Sequence, residues 1–380
     1  MKFYLRYCCA MCFALISFLL APPQNAQAQT RKAYVSQSAD KTTLTFYYDA
    51  LRATRTGKSW GIEETKEEGG VASPAWAGTW EVDDSTTTRV VFDASFRNFR
   101  PTSTAWWFCD YRALKQIEGL EYLNTSEVKD MSSMFWGCSA LTSLDLKNFN
   151  TKNVTDMSSM FCDCVALKSL DLKNFNTQNV TDMSSMFYDC VALTSIDLKN
   201  FNTQNVTDMS WMFYRCSALK SLDLKNFNTK NVTNMSWMFC DCVALTSIDL
   251  ENINTQNVTD MSGMFSYCAV LKSLDLKNFN IQNVTDMSYM FLGCTSLTSL
   301  DLKNFNTKKV TNMYEMFSGC TALRTINSNT TWQCQVSEGM FAGCTKLKGA
   351  VSYDKNKVDA TMANPETGYF TAESTTVRSR

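Results

Sequence analysis

The sequence predicts an α/β repeat solenoid. Three observations predict it: a fixed period, an apolar spacing that opens every unit, and columns of residues that stay the same from unit to unit. Met-Phe recurs at Met134, Met160, Met186, Met212, Met238, Met264, Met290 and Met316, always 26 residues apart, with a further copy at Met340 after 24. Valine holds 128, 154, 180, 206, 232, 258, 284 and 310, and methionine holds 131, 157, 183, 209, 235, 261, 287 and 313. One unit, written from Leu144, begins L-D-L-K-N-F-N-T. With the preceding leucine at 141 this is the L-x-x-L-x-L spacing of a leucine-rich repeat of 20–29 residues.

Each element of a unit follows from its periodicity. Leu144 and Leu146 alternate with Asp145 and Lys147, so a short strand turns the leucines inward and the charges to solvent. Asn148 to Asn153 reads as a turn. Met157, Met160, Phe161 and Cys164 recur at three- and four-residue steps, the spacing of a short helical segment with one buried face, and Thr155 stands where its N-cap belongs. Ser159, Cys162 and Asp163 then fall on the outer face. A single unit cannot bury its apolar set, so neighbours must stack about 4.8 Å apart.

The flanking segments complete the organisation. Residues 1–28 carry Lys2 and Arg6, an apolar run from Cys8 to Ala21, and Ala26-Gln27-Ala28, the layout of a cleaved signal peptide. The run is shorter than the roughly 20 residues that span a bilayer, so export without membrane insertion is expected. Residues 29–103, with strand-like runs at Thr43 to Tyr48 and Thr88 to Phe92, form a small N-terminal β cap. The solenoid occupies 104–326, an irregular C-terminal cap 327–372, and a polar, disordered tail 373–380.

Composition narrows function. Lys plus Arg number 36 against 37 Asp plus Glu, leaving no basic excess for nucleic acid. Histidine is absent, which removes the usual general base and the commonest metal ligand. No catalytic, metal-binding or cofactor-binding set is expected, and the chain reads as a non-enzymatic monomer. The thirteen cysteines beyond the leader are an odd number. Those at 138, 164, 190, 216, 242, 268, 294 and 320 are expected as buried free thiols, because parallel stacked side chains rarely reach disulfide torsions, while Cys162 and Cys240 point outward. Asn-Val-Thr at 153, 179, 205, 231, 257 and 283 is expected to build an asparagine ladder through the stack.

The surface columns that vary carry the candidate site, because change in a near-identical array marks where the fold leaves freedom. One column runs Ser159, Ser185, Trp211, Trp237, Gly263 and Tyr289; another runs Trp136, Cys162, Tyr188, Tyr214, Cys240, Ser266 and Leu292. Tyr188, Trp211, Tyr214, Trp237, Tyr289 and Trp136 are therefore the candidate partner-binding residues, and Tyr188, Trp211, Tyr214 and Trp237 could lie together. These rings either form an interaction surface or shield the core between repeats. The strand face, with its Asp145 and Lys147 columns, is a second candidate surface.

The string N-T-x-N-V-T-D-M-S-x-M-F-x-x-C-x-x-L-x-S-L-D-L, the leading segment from Pro101 to Phe108, Ile117 to Leu120, and the closing Gly368-Tyr369-Phe370 resemble the BspA-like leucine-rich-repeat surface proteins of Bacteroidales and related anaerobes. The resemblance spans Pro101 to Phe370. It implies an exported protein, at the cell surface (outer membrane) or extracellular, that binds rather than catalyses, some such proteins being adhesins for host matrix proteins or other bacteria. The expected partner is a host or bacterial surface macromolecule: a matrix or serum protein first, and alternatively a carbohydrate stacked on the Trp/Tyr ladder.

Overall fold

The computed structural model describes residues 30–68, 70–78 and 84–372, so the expected leader and tail lie outside the described residues. Successive 26-mers stack in register as a ladder of turns and very short strands. A spine of phenylalanines shows the register most clearly: Phe135, Phe161, Phe187, Phe213, Phe239, Phe265, Phe291 and Phe317 stack at centroid spacings of 5.6–5.9 Å. The valine, methionine, cysteine and leucine columns lie buried alongside it, as their inward assignment requires.

The helical segment is absent; among the described residues the only helices are short 3-10 turns. In its place the amides of alternate residues donate to the next repeat: Met157 N to the Asp182 carbonyl at 3.1 Å, Ser159 to Ser184 at 2.9 Å, Phe161 to Met186 at 3.0 Å, Asp163 to Tyr188 at 2.8 Å. The residues between them close overlapping turns, Met160 N to Met157 O and Cys162 N to Ser159 O. The physical reason is width. An α-helix with side chains is about 10–12 Å across and would hold its side of the stack wider than the roughly 4.8 Å strand spacing, whereas a flat run of turns bonds directly to the next repeat. The architecture is thus strand-and-turn rather than α/β, and the three- and four-residue apolar spacing comes from successive turns. Thr155 caps no helix: its amide and hydroxyl both donate back to the Lys129 carbonyl.

Polar ladders bind the repeats on the opposite edge. The buried Thr151, Thr177, Thr203, Thr229 and Thr255 each donate to the backbone carbonyl of an asparagine in the next repeat and accept that asparagine's amide. The Asn-Val-Thr asparagines donate to backbone carbonyls of the preceding repeat at 2.7–2.8 Å, as Asn179 does to Lys152. They bond backbone rather than one another, which satisfies turn carbonyls that no strand reaches.

Regular strands are few. β1 (Lys32–Gln37), β2 (Thr43–Asp49), β3 (Ser59–Gly61), β4 (Thr65–Glu68), β5 (Val71–Pro74), β6 (Arg89–Phe92) and β7 (Gln116–Glu118) lie at the N-terminal end. The sheet order is β3-β1-β2-β6-β7, with β4 and β5 forming a separate hairpin. In the array, β8 (Ser221–Asp223) pairs with β9 (Ser247–Asp249), β10 (Ser299–Asp301) pairs with β11 (Thr325–Asn327), and β11 pairs in turn with β12 (Phe370–Thr371), all parallel. The N-terminal sheet runs past residue 103, since β7 adds to it inside the expected solenoid. Phe46 and Trp107 close one end of the core, packed against Phe108, and Tyr369 and Phe370 close the other against Phe341.

Candidate functional site

Two positions per repeat adopt a left-handed backbone, and the first of them carries the variable residues Trp211, Trp237 and Tyr289, while Trp136, Tyr188 and Tyr214 stand on ordinary backbone. The first column is Trp106, Ser133, Ser159, Ser185, Trp211, Trp237, Gly263, Tyr289, Glu315 and Gly339, with φ between 49° and 66°. The second, four residues on, includes Asp163, Asp189, Arg215, Asp241, Tyr267 and Gly293. Each column is the third residue of a turn, where φ > 0 favours glycine. A tryptophan or tyrosine there carries strain of about 1–2 kcal/mol that the inter-repeat ladder must offset.

Five of the six candidate rings meet. Tyr188 and Tyr214 stack at 4.6 Å and 18°, Trp211 and Trp237 at 5.2 Å and 13°, and Trp211 tilts against Tyr214 at 4.9 Å. Gly263 lets the strip continue: Trp237 lies directly over it, where any Cβ would stand 2.4 Å from the indole. Trp237 thereby reaches Tyr289, two repeats away, at 5.7 Å. Tyr314 adds a further ring, edge-on to Tyr289 at 5.3 Å. All are half-buried. Trp136 stands apart, edge-on to Trp106 at 6.0 Å and donating through Nε1 to Asp163 at 3.1 Å.

Sequence reasoning missed Tyr314 and Trp106. Tyr314 replaces the serine that follows the first methionine of every earlier unit, from Ser132 to Ser288, and that substitution was the available signal. Cys162 and Cys240 were expected outside but are 6% and 3% exposed. They share a column with Trp136, Tyr188 and Tyr214, whose rings cover them from the adjoining repeats. All thirteen described cysteines are unpaired. In the main column each thiol donates to a phenylalanine carbonyl of the preceding repeat at 3.0–3.2 Å, and burial pushes the thiols of Cys164, Cys190 and Cys216 well above their usual range.

A charged edge borders the strip. Arg215 reaches Asp189 at 3.1 Å and Asp241 at 3.6 Å. Asp163 abuts Asp189, and burial followed by the Asp189 charge raises the Asp163 carboxyl above its ordinary range. Burial also holds the Tyr188 hydroxyl at about 12. On the strand face Lys147 pairs with Asp145 at 2.8 Å and Lys277 with Asp275 at 2.9 Å, so those stripes largely neutralise themselves within a repeat. Among the described residues no group of three metal-capable side chains comes together, and no helix is long and apolar enough to cross a membrane.

No curated protein matches the chain. Among solved structures it is similar to a leucine-rich repeat protein from Bacteroides ovatus, at 16% identity over 90% of this chain and 98% of that one, with a TM-score of 0.32. It is also similar to a leucine rich cell surface protein from Faecalibacterium prausnitzii, at 18% identity, 79% and 93% coverage and a TM-score of 0.27. The pneumococcal vaccine antigen PcpA is similar at 14% identity, 90% and 94% coverage and a TM-score of 0.33. Scores this low carry neither structural detail nor function across to this chain. The sequence profile of the family described as "Mycoplasma protein of unknown function, DUF285" matches residues 102–221, 188–273 and 242–354, about two thirds of the chain, and the chain belongs to that family.

Proposed function

We propose that this protein is an exported, BspA-like, non-catalytic surface protein that binds another protein through the strip running from Tyr188 to Tyr314. The observation that carries this reading is the presence of Trp211, Trp237 and Tyr289 on left-handed backbone, where glycine would relax the fold at no loss of register. The array keeps these rings on its surface at a position where the backbone conformation strains any L side chain. A host matrix or serum protein, or a protein on another cell, is the partner class.

Ring orientation favours protein over glycan. A sugar stacks on the face of an aromatic ring, but Tyr188 with Tyr214 and Trp211 with Trp237 cover one another's faces. Their edges remain to meet a partner, an arrangement suited to an interface rich in Tyr and Trp. The test is capture of serum and matrix proteins by the exported chain beside its Trp211→Gly/Trp237→Gly variant. Loss of capture with the fold intact supports the strip; undiminished capture moves the site to the strand face. Binding on a glycan array that disappears with Trp211→Ala would favour the carbohydrate reading instead.

A further inference from the structure

The strand face carries a row of cations that the aromatic strip does not use. In the column one residue ahead of β8, β9, β10 and β11, a cation alternates with threonine: Lys168, Thr194, Lys220, Thr246, Lys272, Thr298, Arg324. The threonines hold the row in line, their hydroxyls donating to the carbonyls of Lys168, Lys220 and Lys272 in the preceding repeat at 3.4, 3.0 and 3.4 Å. All four cations are exposed, and among the described residues none is in an ion pair. No aspartate or glutamate occupies positions 139–143 or their counterparts at each 26-residue step up to 321–325. The neighbouring lysine column differs. Lys147, Lys173, Lys277 and Lys303 each pair with the aspartate two residues before, at 2.8–3.7 Å, and lysine recurs there in nearly every repeat. Unpaired lysines stacked at every repeat would repel one another; the intervening threonines set them two strand spacings apart, about 10 Å.

We propose that this row binds a linear anionic polysaccharide of the extracellular matrix in which uronic acids alternate with uncharged hexosamines. The polymer lies along the rod with one carboxylate against each cation. Such a chain advances by about one strand spacing per sugar, so a carboxylate returns at every second repeat. The uncharged sugar between falls over a threonine and the exposed serines beside it, such as Ser195 and Ser247. Other polyanions are out of register. A nucleic acid strand carries a phosphate every ~3.4 Å of its axis, and an extended acidic peptide presents same-face side chains about 7 Å apart. The cations of this row give up no protein partner when an anion arrives, whereas the lysines beside them would have to leave their aspartates.

This row rests on the reading of the chain as exported but not on the aromatic strip, so either surface can fail alone. The test is a calorimetric titration of the full chain at low ionic strength with a hyaluronan decasaccharide, beside a neutral dextran oligosaccharide, poly-L-glutamate and oligo-dT of similar length. Saturable binding of hyaluronan is expected, tighter than that of the other three. It should weaken about tenfold or more in Lys168→Thr/Lys220→Thr/Lys272→Thr/Arg324→Thr. That variant should fold with an unchanged melting temperature, because threonine already holds the column in the alternate repeats. Lys220→Thr/Thr246→Lys moves one cation by one repeat at constant net charge, and weaker hyaluronan binding by it reports register rather than total charge. Trp211→Gly/Trp237→Gly should bind hyaluronan as the parent does. Hyaluronan binding that is absent, survives the four threonines, ignores the shifted lysine, disappears with the two rings, or is weaker than that of poly-L-glutamate or oligo-dT would overturn the proposal.

Discussion

Trp211 and Trp237 stack with ring planes 13° from parallel and centroids 5.2 Å apart, although both stand on left-handed backbone with φ of 60° and 58°. Stacking and strain therefore oppose each other at the same two residues. Trp211→Gly/Trp237→Gly removes ring contact but relaxes the backbone, whereas Trp211→Ala/Trp237→Ala removes the contact and keeps the strain. The glycine variant should be the more stable by about 1 kcal/mol per site, read from paired denaturant melts. Equal stability would mean that the turn does not hold φ > 0.

Gly263 is the hinge on which the strip's continuity rests. Gly263→Ala places a Cβ 2.4 Å from the Trp237 ring on backbone with φ of 59°. Overpacking of that kind costs about 1–3 kcal/mol. A lower melting temperature and a changed tryptophan emission are expected together; an unchanged melt would mean that Trp237 does not lie over the glycine.

The Asp163 carboxyl gives the protein a pH signature. Its folded pKa is raised, chiefly by burial and then by Asp189, so its contribution to stability is present below the unfolded value of 3.8 and is lost as pH rises through the folded value. Asp163→Asn cannot ionise, keeps an acceptor for the Trp136 indole N–H, and suits the left-handed backbone of that position. The variant should melt higher than the parent at pH 7 and at the same temperature near pH 3. A gain of equal size at both pH values would contradict the ionisation account.

The threonine ladder is expected to outweigh its apolar replacement. Thr203→Val keeps shape but strips the Asn228 amide of its 2.8 Å acceptor and the Asn228 carbonyl of its donor. The cost should be about 1–3 kcal/mol by denaturant melt. A neutral outcome would mean that water replaces the hydroxyl.

Much of this architecture was legible in the sequence because periodicity reports stacking directly. Val154, Met157, Met160 and Phe161 are inward, as their invariance through the array demands. The absence of a helix was not legible, because Met157, Met160, Phe161 and Cys164 have the same spacing whether they line a helix or a run of overlapping turns. What separates the two is the repeat spacing, a property of the stack and not of the unit. At the candidate site, the adjacency of Tyr188, Trp211, Tyr214 and Trp237 followed from register alone. The reach of Trp237 across Gly263 to Tyr289 did not, since it depends on where one side chain lies over a residue that has none. Cys162 and Cys240 were misplaced for a related cause: their cover comes from rings one repeat away.

The 26-residue units stack in register through a turn ladder, and a crystal structure of the protein tests that stacking. The Phe187 and Phe213 rings should lie 5.6 Å apart, with the Phe187 amide on the Met212 carbonyl of the next repeat. A helix across residues 183–190 whose amides bond within their own repeat, with those two rings out of contact, would contradict it.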